Sequence, residues 1–593
     1  MNIHQPLTLN PNTFWCRAIA QTLASLGVTD IVTSPGTRSA ALVSAFEERS
    51  DCRMHVLTDE RSAGFFALGL AKSLKRPTAV CVTSGSAVAN LVPALCEAHA
   101  NATPLVALTC DRPRSLRGAG QPQTTKQAEF CAPLVSRLID LSDPDGSPEG
   151  LERLVAELLT IAPHLVDQGA RGPVQINIPL LGRMTSVDGA HGWGVSPPPA
   201  RPIAPSFPAP RALVEIDTIA KTLDLKPGLK GLIVVGPDED LPIAAIGRLA
   251  ARTGYPLLLD APGGLRGARL PGAVAEADFL VTRREVFALK PELLIRIGPA
   301  PVSAGLQQYV GACRAPVLRV DRRSVEADYL NDAFRVLPLH DHAALDAVAE
   351  RLDRGDTAWR EHWLDMARAC RAALPQAVAT GGWSEIQVAD IALRRPEFGF
   401  THLANSLAIR LGNLLTGLDG RERPVHANRG VAGIDGTIAT FLGEAVGTAK
   451  PGLLLIGDLA ATHDLSSLEA CLRADCRGAI VVMNNDGGGL FDLLPVRGTP
   501  AYRPYIRHSA GVDFRRIAQA FGLGFDRCGS IEQLDAALDR AVRPRARLRL
   551  IEAVITPGAI TTELRDLIGR LSSHDATKTR NHPASPVSTP AEA

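Results

Sequence analysis

Short runs of consecutive apolar residues, each closed by a turn signal and followed by a longer amphipathic stretch, recur along the whole chain. Asp30-Ile31-Val32, Thr78-Ala79-Val80-Cys81-Val82-Thr83 and Pro104-Leu105-Val106-Ala107-Leu108 come first. Gly231-Leu232-Ile233-Val234-Val235, Pro256-Leu257-Leu258-Leu259, Leu293-Leu294-Ile295-Arg296-Ile297 and Val317-Leu318-Arg319-Val320 occupy the middle. Leu453-Leu454-Leu455-Ile456 and Ala479-Ile480-Val481-Val482-Met483 close the series. Strands buried on both faces need continuous apolarity, and strands alternating with helical patterns build parallel sheets covered on both sides. The pattern predicts an α/β chain of three consecutive doubly wound parallel-sheet domains.

Punctuation sets the expected boundaries: domains at 10–185, 212–375 and 400–570. Between the first two, residues 186–211 are crowded with Pro and Gly, including Pro197-Pro198-Pro199, which suits an extended linker. Gly381-Gly382 and Pro396 mark a second expected linker over 376–399. Residues 571–593 are rich in Ser, Thr, Pro and Ala, too poor in large apolar groups to offset the entropy of ordering, and are expected to be a disordered tail.

Composition narrows the function. With 593 residues and 46% apolar content the chain can bury several cores. A formal charge of +1, with no basic run interleaved with aromatics, argues against a nucleic-acid partner. The eleven cysteines are scattered without metal-ligand or redox spacing, several within apolar runs, as in a reducing compartment. No apolar run is long enough to span a membrane and the amino terminus lacks the charged start and apolar core of a leader, so a soluble cytoplasmic protein is expected.

The stretch from Gly457 to Asn485 offers a site for a metal-bound diphosphate. Asp458 follows one apolar run, and Asn484-Asn485-Asp486-Gly487-Gly488-Gly489 follows the next. A hard divalent cation takes oxygen ligands, and Asp458, Asn485 and the carbonyl of Gly487 supply a carboxylate, an amide and a backbone oxygen at strand C-terminal ends, where open α/β sheets bind ligands. Three features of the first domain point the same way. Ser34-Pro35-Gly36-Thr37-Arg38-Ser39 can open a helix and present donors to an anion; Asp59-Glu60-Arg61 precedes the small-residue helix 64–71; and Thr83-Ser84-Gly85-Ser86 and Asp111-Arg112-Pro113 end two strands.

Together these resemble a thiamine diphosphate enzyme, with a pyrimidine-binding domain, a middle domain and a diphosphate-binding domain. The strings SPGTRS, DERSAGFFALGLAK, TSGSAVANLVPAL, TCDRP, GQPQ, NSLAIR, NRGVAGIDG, GDLAATHDL and NNDGGGLFDLLP stand in the order seen in the menaquinone-pathway synthases that make 2-succinyl-5-enolpyruvyl-6-hydroxy-3-cyclohexene-1-carboxylate. The likeness covers roughly residues 12–185 and 400–560 and is looser between them.

The resemblance implies decarboxylation of 2-oxoglutarate and conjugate addition of the succinyl carbanion equivalent to isochorismate, with thiamine diphosphate and Mg2+ or Mn2+ as cofactors. It assigns Glu60 to the aminopyrimidine ring as the catalytic carboxyl, and Asp458, Asn485 and Gly487 to the metal. Ser406, Gly457, Leu459, Leu490 and Phe491 would contact the cofactor, and Ile434 would prop its bent form. Two dicarboxylate substrates call for arginines able to grip carboxylates in bidentate fashion, and the matched motifs supply Arg38, Arg112, Arg410 and Arg429. Thr37, Gln123 and Ser406 add neutral donors, and Leu494 adds an apolar wall. Sites of this superfamily are completed across a subunit interface, so a homodimer or homotetramer is expected.

Two departures stand out. Ala304 and Gly305 occupy a segment where the family usually carries a basic residue or pair, which leaves open a related ligase with another acceptor; Arg283 or Arg284 could compensate. Thr37 replaces a common serine, keeping the hydroxyl and adding a methyl. A non-catalytic scaffold of the same fold is the remaining alternative, against which Glu60, Asp458 and Asn485 are all present.

Overall fold

The computed structural model describes residues 11–580 apart from 146, 167–170, 183–225, 322–329, 331–335, 340–344, 418–420 and 510. Three six-stranded sheets, parallel throughout, follow one another along the chain. The first comprises β1 (Asp30–Thr33), β2 (Arg53–Val56), β3 (Thr78–Val82), β4 (Leu105–Asp111), β5 (Arg137–Asp140) and β6 (Val174–Pro179), in the order β2-β1-β3-β4-β6-β5. The second comprises β7 (Gly231–Val235), β8 (Leu257–Leu259), β9 (Ala273–Val274), β10 (Leu293–Ile297), β11 (Val317–Val320) and β12 (Val336–Leu339), in the order β12-β11-β10-β7-β8-β9. The third comprises β13 (Phe400–Leu403), β14 (Val425–His426), β15 (Gly452–Gly457), β16 (Gly478–Asn484), β17 (Gly524–Cys528) and β18 (Arg549–Val554), in the order β14-β13-β15-β16-β18-β17. Every residue of β3, β4, β6, β7 and β10 is buried, the mostly apolar runs carrying a few buried polar residues such as Gln175, Asn177 and Arg296.

The first and third sheets have the same strand order, so the chain carries two copies of one topology around a third sheet of different order. The helix that follows the second strand of each copy packs on its counterpart: Glu60–Leu74 lies against Thr437–Thr448. Small residues permit the approach. A Cβ on Gly69 would lie 2.1 Å from the carbonyl oxygen of Thr440, and one on Gly443 would lie 2.2 Å from that of Phe66. Close packing of the Glu60 helix, expected from its small residues, is thus directed at the other cofactor-type domain.

Where boundaries were expected, two segments differ. Much of the stretch 376–399 is ordered helix, not linker: Thr357–Ala379 runs through Pro375, and Glu385–Leu393 buries Ile386, Val388, Ala389, Ala392 and Leu393. Gly381 and Gly382 form only the corner between these two helices, because the apolar spacing on either side continues a core. The carboxy-terminal helix spans Ala559–Arg580, past the expected start of the tail at 571, since Ile560, Leu567 and Leu571 extend one buried stripe at helical spacing. The linker 186–211 and residues 581–593 lie outside the described residues.

Candidate active site

At the end of β15 the chain turns into the helix Asp458–His463, and Asp458 is buried there. Its Oδ1 accepts the amide of Leu459 at 2.8 Å and its Oδ2 accepts the amide of Gly487 at 2.6 Å, so the carboxylate ties the two loops together. Burial raises its pKa, and a cation beside it would work in the opposite sense. The adjacent strand β16, paired to β15 through Gly457 and Met483, delivers Asn485 to the same sheet end. Arg507 fixes the following loop by donating to the carbonyls of Asn485 at 2.7 Å and Asp486 at 2.6 Å. Gly487 has φ +84°, and a Cβ there would fall 1.7 Å from the carbonyl oxygen of His508, so only glycine fits.

Asn485 supplies the test of whether a metal fits. Its Nδ2 donates to Glu385 at 2.7 Å, while its Oδ1 is buried with no donor reaching it among the described residues. A buried acceptor left unpaired costs about 1–3 kcal/mol. An oxygen-seeking cation held with Asp458 and the Gly487 carbonyl would satisfy it, so the residues present fit the group. Leu490 and Phe491 lie in the short turn Gly489–Leu493 beside this loop, both half-buried, and Leu494 follows, 42% exposed. Leu459 and Gly457 flank Asp458 at the strand end.

Elsewhere in the third domain, Ser406 precedes the helix Leu407–Leu415 with φ 65° and ψ −123°, a backbone state strained for any residue with a Cβ. The Ser406 carbonyl accepts Arg410 Nη1 at 2.5 Å. Arg429 is held by Asn405, whose Oδ1 accepts Arg429 Nη1 at 2.7 Å, and burial with the nearby Arg410 lowers the Arg429 pKa. Ile434, half-buried, packs against the core in the same loop.

The first domain gathers a second group. Arg38, next to exposed Thr37 in the turn Thr37–Ser39, donates to the carbonyl of Leu180 at 3.0 Å, and burial and Arg112 together lower its pKa. Arg112 donates to the carbonyl of Pro122, and Gln123, at φ 57°, accepts Ser84 Oγ at 2.8 Å on its carbonyl. Glu60 begins its helix one residue after the cap Asp59, and its Oε2 accepts Asn90 Nδ2 at 3.3 Å.

Two pairs of arginines therefore sit at sheet ends, Arg112 adding to burial in lowering the Arg38 pKa and Arg410 doing the same to Arg429. Among the described residues no hydrogen bond or ion pair joins Glu60, Arg38, Arg112 or Gln123 to Ser406, Arg410, Arg429, Asp458 or Asn485.

Family models agree with the two sheets that carry these groups: the thiamine pyrophosphate enzyme N-terminal TPP binding domain matches residues 16–130, and the C-terminal TPP binding domain matches 420–553. A protein of Roseiflexus castenholzii named 2-succinyl-5-enolpyruvyl-6-hydroxy-3-cyclohexene-1-carboxylate synthase is 32% identical, over 91% of this chain and 96% of its own length. Proteins of the same name from Bacillus cytotoxicus and Halobacterium salinarum are each 32% identical, over 91% and 95% of this chain and 93% and 99% of theirs. The chain belongs to this synthase family.

Within the synthase, the loop that bears Arg429 is anchored by groups that the sequence did not single out. Glu97, buried in the first domain, accepts the amides of Gly430 and Val431 at 2.8 Å each, and Asn101 Nδ2 at 2.6 Å. Lys72 Nζ donates to the carbonyl of Ala427 at 2.9 Å and pairs with Glu239 at 2.9 Å. Glu239, from the middle domain, also meets His426 Nδ1 at 2.6 Å, while His402 Nδ1 meets Glu444 at 2.8 Å. Burial alone would raise Glu239, but Lys72 and His426 hold it below the carboxylate range. Glu239, His426 and Glu444 have ligand atoms within 4.8 Å of one another, as a metal site would; the Lys72 ammonium, 3.7 Å from Glu444, already supplies the cation. All three domains thus converge on this loop. Only tertiary contact reveals the clamp, since Glu97 and Gly430 are 333 residues apart.

Glu97→Gln is expected to destabilise the fold by about 1–3 kcal/mol, because its amide must turn an NH2 toward one of the two backbone N–H donors, of Gly430 and Val431, that the carboxylate now accepts. The check is a lower denaturant midpoint at unchanged slope.

Proposed function

We propose that this synthase decarboxylates 2-oxoglutarate and joins the resulting succinyl unit to isochorismate by conjugate addition, releasing CO2 and giving 2-succinyl-5-enolpyruvyl-6-hydroxy-3-cyclohexene-1-carboxylate. Family membership supports the reaction, and the paired arginines carry the substrate side. Bound thiamine diphosphate supplies the nucleophilic carbon and the electron sink that decarboxylation of a 2-oxo acid needs. Asp458, Asn485 and the Gly487 carbonyl would hold Mg2+ or Mn2+ on the diphosphate. Glu60 would hold and move a proton at the aminopyrimidine ring. Ser406, Gly457, Leu459, Ile434, Leu490 and Phe491 would line the cofactor.

Neighbouring guanidinium groups repel, and a dicarboxylate placed between them turns repulsion into bidentate pairing. Arg38 and Arg112, with Thr37 and Gln123, would take one substrate's carboxylates; Arg410 and Arg429, with Ser406, would take the other's. Leu494 would close the apolar side and keep water from the carbanion equivalent.

Among the described residues no hydrogen bond or ion pair joins Glu60 and the first arginine pair to the proposed metal ligands, and Val431 and Leu494 are 55% and 42% exposed. Both facts favour a homodimer, or a homotetramer of paired dimers, in which a second copy completes each site. Among the described residues no helix is long and apolar enough to cross a membrane. All eleven cysteines are free, which favours a reducing, cytoplasmic setting.

Ala304 opens the helix Ala304–Cys313 and Gly305 rests near Val281, so the basic pair usual in the family has no counterpart at these two positions. The deciding experiment is mass-spectrometric product analysis with protein, thiamine diphosphate, Mg2+, 2-oxoglutarate and isochorismate, beside a control lacking isochorismate. The expected product carries the four-carbon succinyl unit. Decarboxylation without adduct would assign the chain another acceptor, and no turnover of either substrate would leave the scaffold reading.

A further inference from the structure

Glu385 is fully buried at the start of the helix Glu385–Leu393, and nothing in the packing of that helix calls for a carboxylate. Its Oε1 accepts Asn485 Nδ2 at 2.7 Å, while its Oε2 is buried without a hydrogen-bond partner among the described residues. The guanidinium that acts on it, Arg507, is committed elsewhere: it pairs with Asp492 at 3.3 Å and donates to the carbonyls of Asn485 and Asp486. Burying a carboxylate with one bond to a neutral amide is costly, so stability does not explain the residue.

Its effect on Asn485 does. The two orientations of an asparagine amide fill nearly the same volume, so packing alone chooses weakly between them. A carboxyl oxygen facing the amide accepts from Nδ2 and repels Oδ1, so only the orientation with Oδ1 turned away is satisfied. Gly489 leaves room for the amide in this place, since a Cβ there would lie 2.0 Å from Nδ2. The oxygen set free by this choice is the buried Oδ1 that no donor among the described residues reaches.

We infer that Glu385 is a positioning residue for the metal centre, fixing the amide of Asn485 so that its oxygen faces the cation. The inference rests on reading Asp458, Asn485 and Gly487 as the ligands. Outer partners of metal ligands typically change metal affinity by about 10–100-fold when removed.

The test is Mn2+ affinity of the full chain with thiamine diphosphate present, read by electron paramagnetic resonance of free Mn2+, with the cofactor-free melting temperature as a folding control. Glu385→Met keeps the volume and removes the acceptor; it is expected to weaken Mn2+ binding by about 10–100-fold. Glu385→Gln retains a carbonyl for Nδ2 and is expected to stay within a few-fold of the parent. Should the Met variant fail to fold, Glu385→Ser carries the same expectation. Parent-like affinity in Glu385→Met, or an equal loss in Glu385→Gln, would overturn the inference, the latter because charge and not amide orientation would then matter. Asn485→Ala is measured in parallel: if it leaves Mn2+ affinity unchanged, the ligand reading fails, whereas a loss there beside a parent-like Glu385→Met condemns only the role of Glu385.

Discussion

Asp458→Asn is expected to abolish productive cofactor binding while leaving the fold in place. Asp458 is the one anionic member of the proposed ligand set, next to a neutral amide and a backbone carbonyl, so its charge supplies most of the attraction for a divalent cation. Its two oxygens also accept the amides of Leu459 and Gly487. Asparagine keeps one acceptor and turns its NH2 toward the other N–H, so the junction between β15 and the Asn485 loop loosens as the charge is lost. The expected fall in Mg2+ affinity exceeds the ~10–100-fold typical of outer-shell partners, and activity should fall with it. Titration calorimetry of Mg2+ with thiamine diphosphate checks the binding, and the melting temperature without cofactor separates it from the ~1–3 kcal/mol local hydrogen-bond cost. Parent-like binding of both ligands would remove Asp458 from the metal centre.

The apolar runs announced the sheets well because strands buried on both faces tolerate almost nothing else, and strand ends then located Asp458 and Asn485. Order within each sheet was not legible, since strand neighbours depend on contacts between remote segments. The segment 376–399 shows how punctuation misleads. Gly381-Gly382 is a real break, but two residues long, and Pro375 is accommodated inside a helix whose neighbours Leu374, Ala377 and Val378 are buried. Reading it as linker hid Glu385, whose contact with Asn485 spans 100 residues. Glu97, Lys72 and Glu239 escaped for the same reason: an isolated acid or lysine is ordinarily solvated, and only packing between domains shows Glu97 and Lys72 to be buried and Glu239 to be paired with Lys72. The motif residues were legible through resemblance, yet resemblance could not say which of them one chain brings together.

Glu60→Gln is the second large effect expected, a fall of about 10²–10⁴ in kcat, the range for loss of a positioned proton-transfer group. The substitution is close to isosteric, and a glutamine carbonyl can still accept Asn90 Nδ2, the one hydrogen bond that Glu60 makes among the described residues. The helix cap is Asp59, which accepts the amide of Arg61 at 3.0 Å, so the start of the Glu60 helix does not depend on the Glu60 charge. Melting temperature and Mn2+ affinity should therefore stay near the parent's, unlike those of the metal-site variants. The loss should fall on kcat with little change in KM for 2-oxoglutarate, because the arginines proposed to bind carboxylates are untouched. It should appear equally in CO2 release without isochorismate, since the proton at the aminopyrimidine is needed before either substrate's fate is decided. A parent-like rate of CO2 release would remove Glu60 from the mechanism. A loss confined to the acceptor step would instead move Glu60 to the isochorismate side of the site, next to Arg38 and Arg112.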